Sequence, residues 1–406
     1  MDNFTPVLRF AVVSDIHYED APTVERERFE KAVNSAYKIS QSHPTYKNLD
    51  ALYVVGDFAT SGSEIQMNAF KESIDKALKS GTVVTLTMAS HEFNERNGGE
   101  VAALEKFGRI FAMQPDTHKL INGFHFIAVT TTHGCHFNDE KKAWIAEQLR
   151  AAAADDAKKP IFFFQHPHIS GTVYGSANWG EDEMTPILMD YPQIIDFSGH
   201  SHAPINDPRS IHQQHFTCLG TGTLSYFELD EFDKIYGTCP PNDENAAQML
   251  IVEADAQGNV RVYPYDVLTE NFFPYTWEID TPWEPSSFKY TDEIRLTGAV
   301  KPYFDSSCEA CVADVTENTC TIDFSQAKIE KDYVNSYDIT LKYADSGLTA
   351  KRLSVWSGYY FYNMPERLSQ EITGLTPDTQ YIAEVRANSF WHTSSDDILT
   401  VRFATK

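Results

Sequence analysis

Five separate apolar runs in this chain each end on an acid or a histidine, and that recurrence limits the fold more than any other feature. The first is Phe10-Ala11-Val12-Val13-Ser14-Asp15-Ile16-His17. Leu8, Phe10, Val12 and Val13 supply the apolar, β-branched bias of a central strand, and Asp15 and His17 fall where the strand gives way to a loop. The later runs are residues 51–55, ending in Gly56-Asp57, and 82–88, ending in Ala89-Ser90-His91-Glu92. Residues 160–164 end in Gln165-His166, and 193–197 lead to Gly199-His200-Ser201-His202. In an open α/β sheet the carboxyl ends of strands form the ligand crevice. A carboxylate and an imidazole one residue apart can face one cation from the same side of an extended segment.

Helical patterns separate these strands. Residues 24–42 place Phe29, Ala32, Val33, Ala36 and Tyr37 at helical spacing. A second helix is expected from a Ser63 cap to Leu78, and a third over 139–152 with Trp144, Ile145 and Leu149 inward. Residues 123–130 read as one more strand. Alternating β and α units predict a largely parallel core covered by helices. Beyond His202 the pattern turns to strands at 216–227, 248–254 and 260–265, expected to complete a second sheet of the same domain. The aromatic stretch with Pro274, Pro282 and Pro285 suits an ordered linker. After Lys301 only short alternating segments follow, clearest at 319–324, 337–343 and 381–388, which predicts an all-β sandwich. The expected division is a domain over 1–270, a linker over 271–300 and the sandwich over 301–406.

With 58 acidic against 33 basic residues the formal net charge is −25. Such a surface argues against long nucleic acid, whose binding needs a Lys/Arg face. It leaves room for a small phosphate compound, because bound cations dominate a local field. No apolar run is long enough to span a bilayer, and polar Asp2 and Asn3 follow Met1 where a leader would start. The expectation is therefore a cytoplasmic chain, or an exported or cell-surface one whose leader was removed.

The five endings, in this order, resemble calcineurin-like metallophosphoesterases, whose pattern is Asp-x-His, Gly-Asp, Gly-Asn-His-Asp/Glu, a later His, then Gly-His-x-His. The resemblance spans roughly residues 7–270 and implies a double-sheet sandwich flanked by helices. Residues 375–381, Leu-Thr-Pro-Asp-Thr-Gln-Tyr, and the following Val385-Arg386-Ala387 are similar to fibronectin type III domains. The first resemblance implies a metal-dependent phosphoric ester hydrolase, a phosphodiesterase or phosphatase acting on a small mono- or diester such as a cyclic nucleotide or nucleotide. It implies two divalent ions (Mn, Fe or Zn), one held by Asp15, His17, Asp57 and His202 and one by Asp57, Ser90, His166 and His200. Asp57 would bridge them, a hydroxide between them would attack phosphorus, and His91 would protonate the leaving alkoxide or stabilise the equatorial oxygens. Glu92 would orient the loop.

Ser90 departs from the Asn usual in that family, and Ala89 from its Gly. Either Ser90 ligates through a backbone shift, or water takes the place, or the second ion binds weakly. That departure supports the alternative of a degenerate phosphoesterase serving binding or adhesion; His91 supports an enzyme. Thr60 stands where purple acid phosphatases carry a Tyr ligand, which disfavours that branch. Tyr18, Tyr174 and Trp179 are placed near the mouth, to stack on a base or sugar or simply to pack a loop. His133 and His136 bracket Gly134-Cys135 on a loop and could meet substrate; His168 lines the pocket or sits on the surface. His212 and His215 are expected to be structural. Cys308, Cys311 and Cys320 lack a fourth ligand for zinc and could form a disulfide in an exported protein. The sandwich offers a docking surface for a cell-surface or protein partner.

Overall fold

The computed structural model describes residues 4–230 and 238–406. The chain divides into two compact units, Met1–Thr291 and Asp292–Lys406.

The first unit contains two sheets. One is built from β1 (Pro6–Val13), β2 (Ala51–Val55) and β3 (Val83–Thr87), parallel to one another, with α1 (Val24–Ser42) and α2 (Glu64–Ala77) as crossovers. Ser63 caps α2 with a reciprocal capping box to Gln66. The helix α3 (Gly99–Phe111) packs beside α2. The other sheet holds β4 (Thr117–Ile121), β5 (Phe124–Ala128), β6 (Ile161–Phe164), β9 (Ile194–Ser198), β10 (Ile211–Gln213) and β11 (Thr217–Gly220). Within it β5, β6, β9 and β11 are parallel, and α4 (Asp139–Asp155) crosses over. Between β6 and β9 lie the short β7 (His168–Ile169), α5 (Ser176–Trp179), β8 (Gly180–Glu181) and α6 (Thr185–Leu188). The first sheet is extended antiparallel from β1 by β12 (Gln248–Asp255) and β13 (Val260–Asp266), onto which β14 (Asn271–Phe272) and β15 (Trp277–Ile279) pair.

Period-2 alternation decides which face each side chain takes. Phe10 meets Phe126, Phe162, Phe164 and Phe197 of the second sheet at centroid separations of 5.1, 4.8, 6.2 and 5.8 Å. Tyr53 stacks on Phe164 at 3.9 Å. The sheets therefore pack face to face through an aromatic layer. Ala11 and Val13 point the other way, into an apolar cluster under α1, α2 and α3. Ile161, Phe163 and Ile194 do the same under α4 and α6. All five polar strand endings lie at the carboxyl ends of parallel strands.

Three details differ from the sequence reading. Helix α3 was not anticipated, because Gly98, Gly99 and Gly108 interrupt its pattern. The strand expected over 216–227 stops at Gly220; Gly222 turns at φ 72°, and a Cβ there would lie 2.7 Å from Ile205. The Pro- and aromatic-rich stretch contributes β14 and β15 to the first sheet, and Trp277 and Ile279 are buried there.

The second unit begins with α7 (Asp292–Thr297). Its strands β16 (Ala310–Ala313), β17 (Thr319–Ser325) and β20 (Arg367–Thr373) form one antiparallel sheet. A second consists of β19 (Thr349–Trp356), β18 (Ser336–Tyr343), β21 (Gln380–Asn388) and β22 (Leu399–Ala404). Ile322, Phe324, Ile339, Leu341, Ala383 and Val385 alternate into one core. The Tyr381 hydroxyl accepts a hydrogen bond from the Thr376 amide at 3.0 Å, a corner known from β-sandwiches. These all-β sheets are consistent with a fibronectin type III-like sandwich. All six cysteines are free thiols.

Arg9 is fully buried in the first unit and faces Glu253 across the β1–β12 pair, with Nε donating at 2.6 Å. Glu253→Ala would strand that guanidinium, so the full chain should lose about 3–5 kcal/mol in chemical denaturation. A loss below about 1 kcal/mol would show that the carbonyl of Tyr46, which Nη1 also reaches at 2.6 Å, suffices alone.

Candidate metal centre

The backbone at the strand ends is forced into an unusual conformation. Asp15, His17, Asp57, His200 and His202 have φ of 50°, 56°, 49°, 74° and 53°, and Gly56 has φ 77°. Left-handed non-glycine residues cost of order 1–3 kcal/mol each and persist only where surrounding structure imposes them. Here the first two loops impose it on each other. Asp15 N donates to Gly56 O at 3.2 Å, and Ile16 N and His17 N both donate to Asp57 O, at 2.9 and 3.1 Å. Two glycines permit the close approach. A Cβ on Gly56 would lie 2.4 Å from His166 Nδ1, and one on Gly199 would lie 2.5 Å from Asp15 Oδ2.

These loops gather seven side chains. Three overlapping groups each bring their ligand-type atoms within 4.8 Å of one another: Asp15, His17 and His202; His17, Asp57 and His91; Asp57, His166 and His200. His17 Nε2 and His202 Nε2 are 3.0 Å apart, and His202 Nε2 is 3.3 Å from Asp15 Oδ1. His166 Nε2 lies 2.9 Å from Asp57 Oδ2 and 3.8 Å from Asp15 Oδ1. Backbone carbonyls fix the outer ring nitrogens. His166 Nδ1 donates to Val55 O at 2.7 Å, His202 Nδ1 to Tyr226 O at 3.0 Å and His91 Nδ1 to Thr60 O at 2.7 Å. Each ring thus turns its Nε2 inward, which is how metal-bound histidines are oriented.

Glu92 holds the centre from below. Its carboxylate, 1% exposed, accepts the amides of Asp57, Ala59 and Ala89 at 3.1, 2.9 and 2.9 Å. Its carboxyl is pushed up to about 8 by burial and by the charge of Asp57. Burial alone would also raise Asp15 and Asp57, but neighbouring imidazoles outweigh it and hold both below the usual range, His202 and His166 at Asp15 and chiefly His166 at Asp57. Burial, with His202 beside it, pushes His17 down to about 3, and burial with His166 pushes His200 down to about 4. At His166 burial works downward too, yet Asp57 and Asp15 win and raise it to about 10.

A divalent cation fits this donor set. Two ionised carboxylates and several neutral imidazoles converge, and buried His166 Nε2 sits against Asp57 without a well-directed hydrogen bond. Mixed oxygen and imidazole donors suit Mn, Fe or Zn.

The other expected site residues fall in different places. Ser90 is half-buried on the 89–92 loop beside His91. Tyr18 does not line the mouth: it is fully buried between Phe29 and Phe70, because its backbone pairs with the 58–60 segment and turns the ring under α1 and α2. His168 neither lines the pocket nor reaches the surface; it is buried with its nitrogens on the Ser198 and Ser201 hydroxyls at 2.8 and 2.7 Å. His133 is exposed and pairs with Glu100. Tyr174 carries the Arg209 guanidinium over its ring at 3.9 Å. Two neighbours were not read from the sequence. Tyr226 packs its ring 4.3 Å from His202, and Cys135 Sγ lies 3.1 Å from His200 Nε2. His133-Gly134-Cys135-His136 was the only local signal for the latter.

Comparison with known proteins agrees with the resemblance over the first unit. The family model for calcineurin-like phosphoesterases matches residues 8–204, which include all five strand endings. No curated protein gives a significant match. Similar solved structures include a redesigned β-sandwich protein at 15% identity, covering 26% of this chain and 95% of that one with a TM-score of 0.20. A myokine structure follows at 18% identity, 25% and 98% coverage and a TM-score of 0.19. The fn3 domain of human collagen alpha-1(XX) chain gives 17% identity, 27% and 86% coverage and a TM-score of 0.20.

Gly56→Ala tests the packing of the centre. The added Cβ meets the His166 ring and the positive φ adds about 1–2 kcal/mol of backbone strain. Divalent-metal content and the unfolding midpoint should both fall. Unchanged values would show that the loop accommodates the methyl group.

Proposed function

We propose that this chain is a metal-dependent phosphoester hydrolase. The convergence of Asp15, His17, Asp57, His91, His166, His200 and His202 from five loops into overlapping groups carries this reading, and the family match over residues 8–204 supports it. Asp15, His17, Asp57 and His202 would hold one ion, and Asp57, Ser90, His166 and His200 would hold the other. A divalent pair there supplies positive charge that neutralises the phosphoryl group and lowers the pKa of water.

The chain's own residues do the remainder. Asp57 would be shared by both ions, and its Oδ1 accepts the His91 amide at 3.2 Å. His91, tied through Nδ1 to Thr60 O, aims Nε2 at the centre, its ring 4.5 Å from that of His17. The water oxygen bonds to phosphorus and releases a proton to solvent, the bond from phosphorus to the alcohol oxygen breaks, and His91, protonated on both ring nitrogens, gives its Nε2 proton to the departing alkoxide and is reprotonated from solvent. Mono- and diesters are both compatible with this arrangement. The sandwich over 301–406 is an accessory or docking module that contributes nothing to the chemistry.

Asp57→Asn should abolish binding of both ions and all hydrolysis, read by metal analysis and a panel of mono- and diester substrates. Full occupancy in that variant would sink the assignment. His91→Ala should keep the ions and lose about 10²–10⁴ in rate on alkyl esters. The loss should be far smaller on nitrophenyl esters, whose leaving group departs without a proton. Equal losses on both would assign His91 to charge stabilisation, and loss of the ions would make it a ligand.

A further inference from the structure

Beside the centre, a cavity of about 510 Å³ opens on His17 and His91 and is walled by Glu19, Thr23, Glu25 and Tyr226. Besides those two histidines, the charged residues among the described ones that line it are both acids, Glu19 and Glu25. The guanidinium groups close by are committed elsewhere. Arg28, one turn beyond Glu25 on α1, sends its Nη atoms to the carbonyls of Leu224, Ser225 and Glu244 at 3.2, 2.6 and 2.5 Å. Arg26 lies over the Tyr18 ring at 5.7 Å. Helix α1 starts at this cavity, and its free amides would favour an anion. Glu25 and Glu27 in its first turn already supply that charge. The N-cap Thr23 makes no side-chain cap bond, and its hydroxyl has no partner. Tyr226, half-buried on the flank of His17 and His202, adds an aromatic ring to the wall.

We infer that this cavity receives the alcohol portion of the phosphoester and that this portion carries a positive charge, a primary or quaternary amine. The inference rests on the proposed hydrolase reading, because only the placement of His91 puts the leaving alcohol on this side. An ammonium group there meets two carboxylates and an aromatic ring, the combination that holds such cations. A further phosphate, as in a nucleoside diphosphate, meets the same two carboxylates and is repelled. Glu19 and Glu25 are thus specificity residues, and Tyr226 shapes the wall they share.

The test uses the full chain loaded with Mn²⁺ and two probes that differ in the alcohol, choline phosphate and glycerol phosphate. Calorimetry should find choline phosphate bound about tenfold more tightly. That advantage should shrink as salt is raised. It should fall to about twofold in Glu19→Gln/Glu25→Gln and invert in the single variant Glu19→Lys, at an exposed loop position. Equal or weaker binding of choline phosphate by the natural chain overturns the inference, whether or not either ester is hydrolysed. Tight binding without hydrolysis keeps the inference and removes the hydrolase reading; hydrolysis of both esters at equal efficiency does the reverse.

Discussion

The face-to-face packing of two sheets through Phe10 is the contact on which the rest of this structure depends. Its ring has five aromatic neighbours within 6.3 Å, one on its own sheet and four on the other. Each such pair adds about 0.5–1.5 kcal/mol beyond area burial. What matters more is where it sits. Asp15, His17, Asp57 and His91 belong to loops of one sheet, and His166, His200 and His202 to loops of the other. The centre exists only while the sheets stay in register, so the aromatic layer is as much a determinant of the site as its polar residues.

Holding the loops together has two opposing terms. Five left-handed non-glycine residues and several fully buried ionisable groups are unfavourable taken singly. They are offset by the backbone bonds between the first two loops, by the carbonyls that hold the outer histidine nitrogens, and by the mutual attraction of Asp57 and His166. Glu92 adds a fourth support by gathering amides from both the 57–59 and 89 segments.

Local features of the sequence made much of this legible. An apolar run followed by Asp or His is read within a few residues, and all five such runs are strands that deliver their ends to one place. Long-range pairing was not legible. Arg9 looks like an ordinary polar residue in a strand, because its partner Glu253 lies 244 positions away. Tyr18 looks like a mouth residue because it follows His17, yet the bridge to Ala59 takes the backbone inward. His168 follows the strand that bears His166, and only the fold reveals the two serines that claim its nitrogens. The glycines that begin α3 read as loop, since the helix is held by packing against α2 and not by its own propensity.

Charge gives the last constraint. A chain with a net charge of −25 repels phosphate at long range, and the groups that converge at the centre are carboxylates and imidazoles. Burial holds His17 and His200 toward the neutral form, and Asp57 and Asp15 raise the His166 imidazole that faces them. In the reading proposed above, charge brought to the ion positions offsets that repulsion and holds the phosphoryl group. An acidic surround then serves selectivity: it raises the local concentration of divalent cations and leaves the alcohol, not the phosphate, as the part of a substrate that the protein itself discriminates.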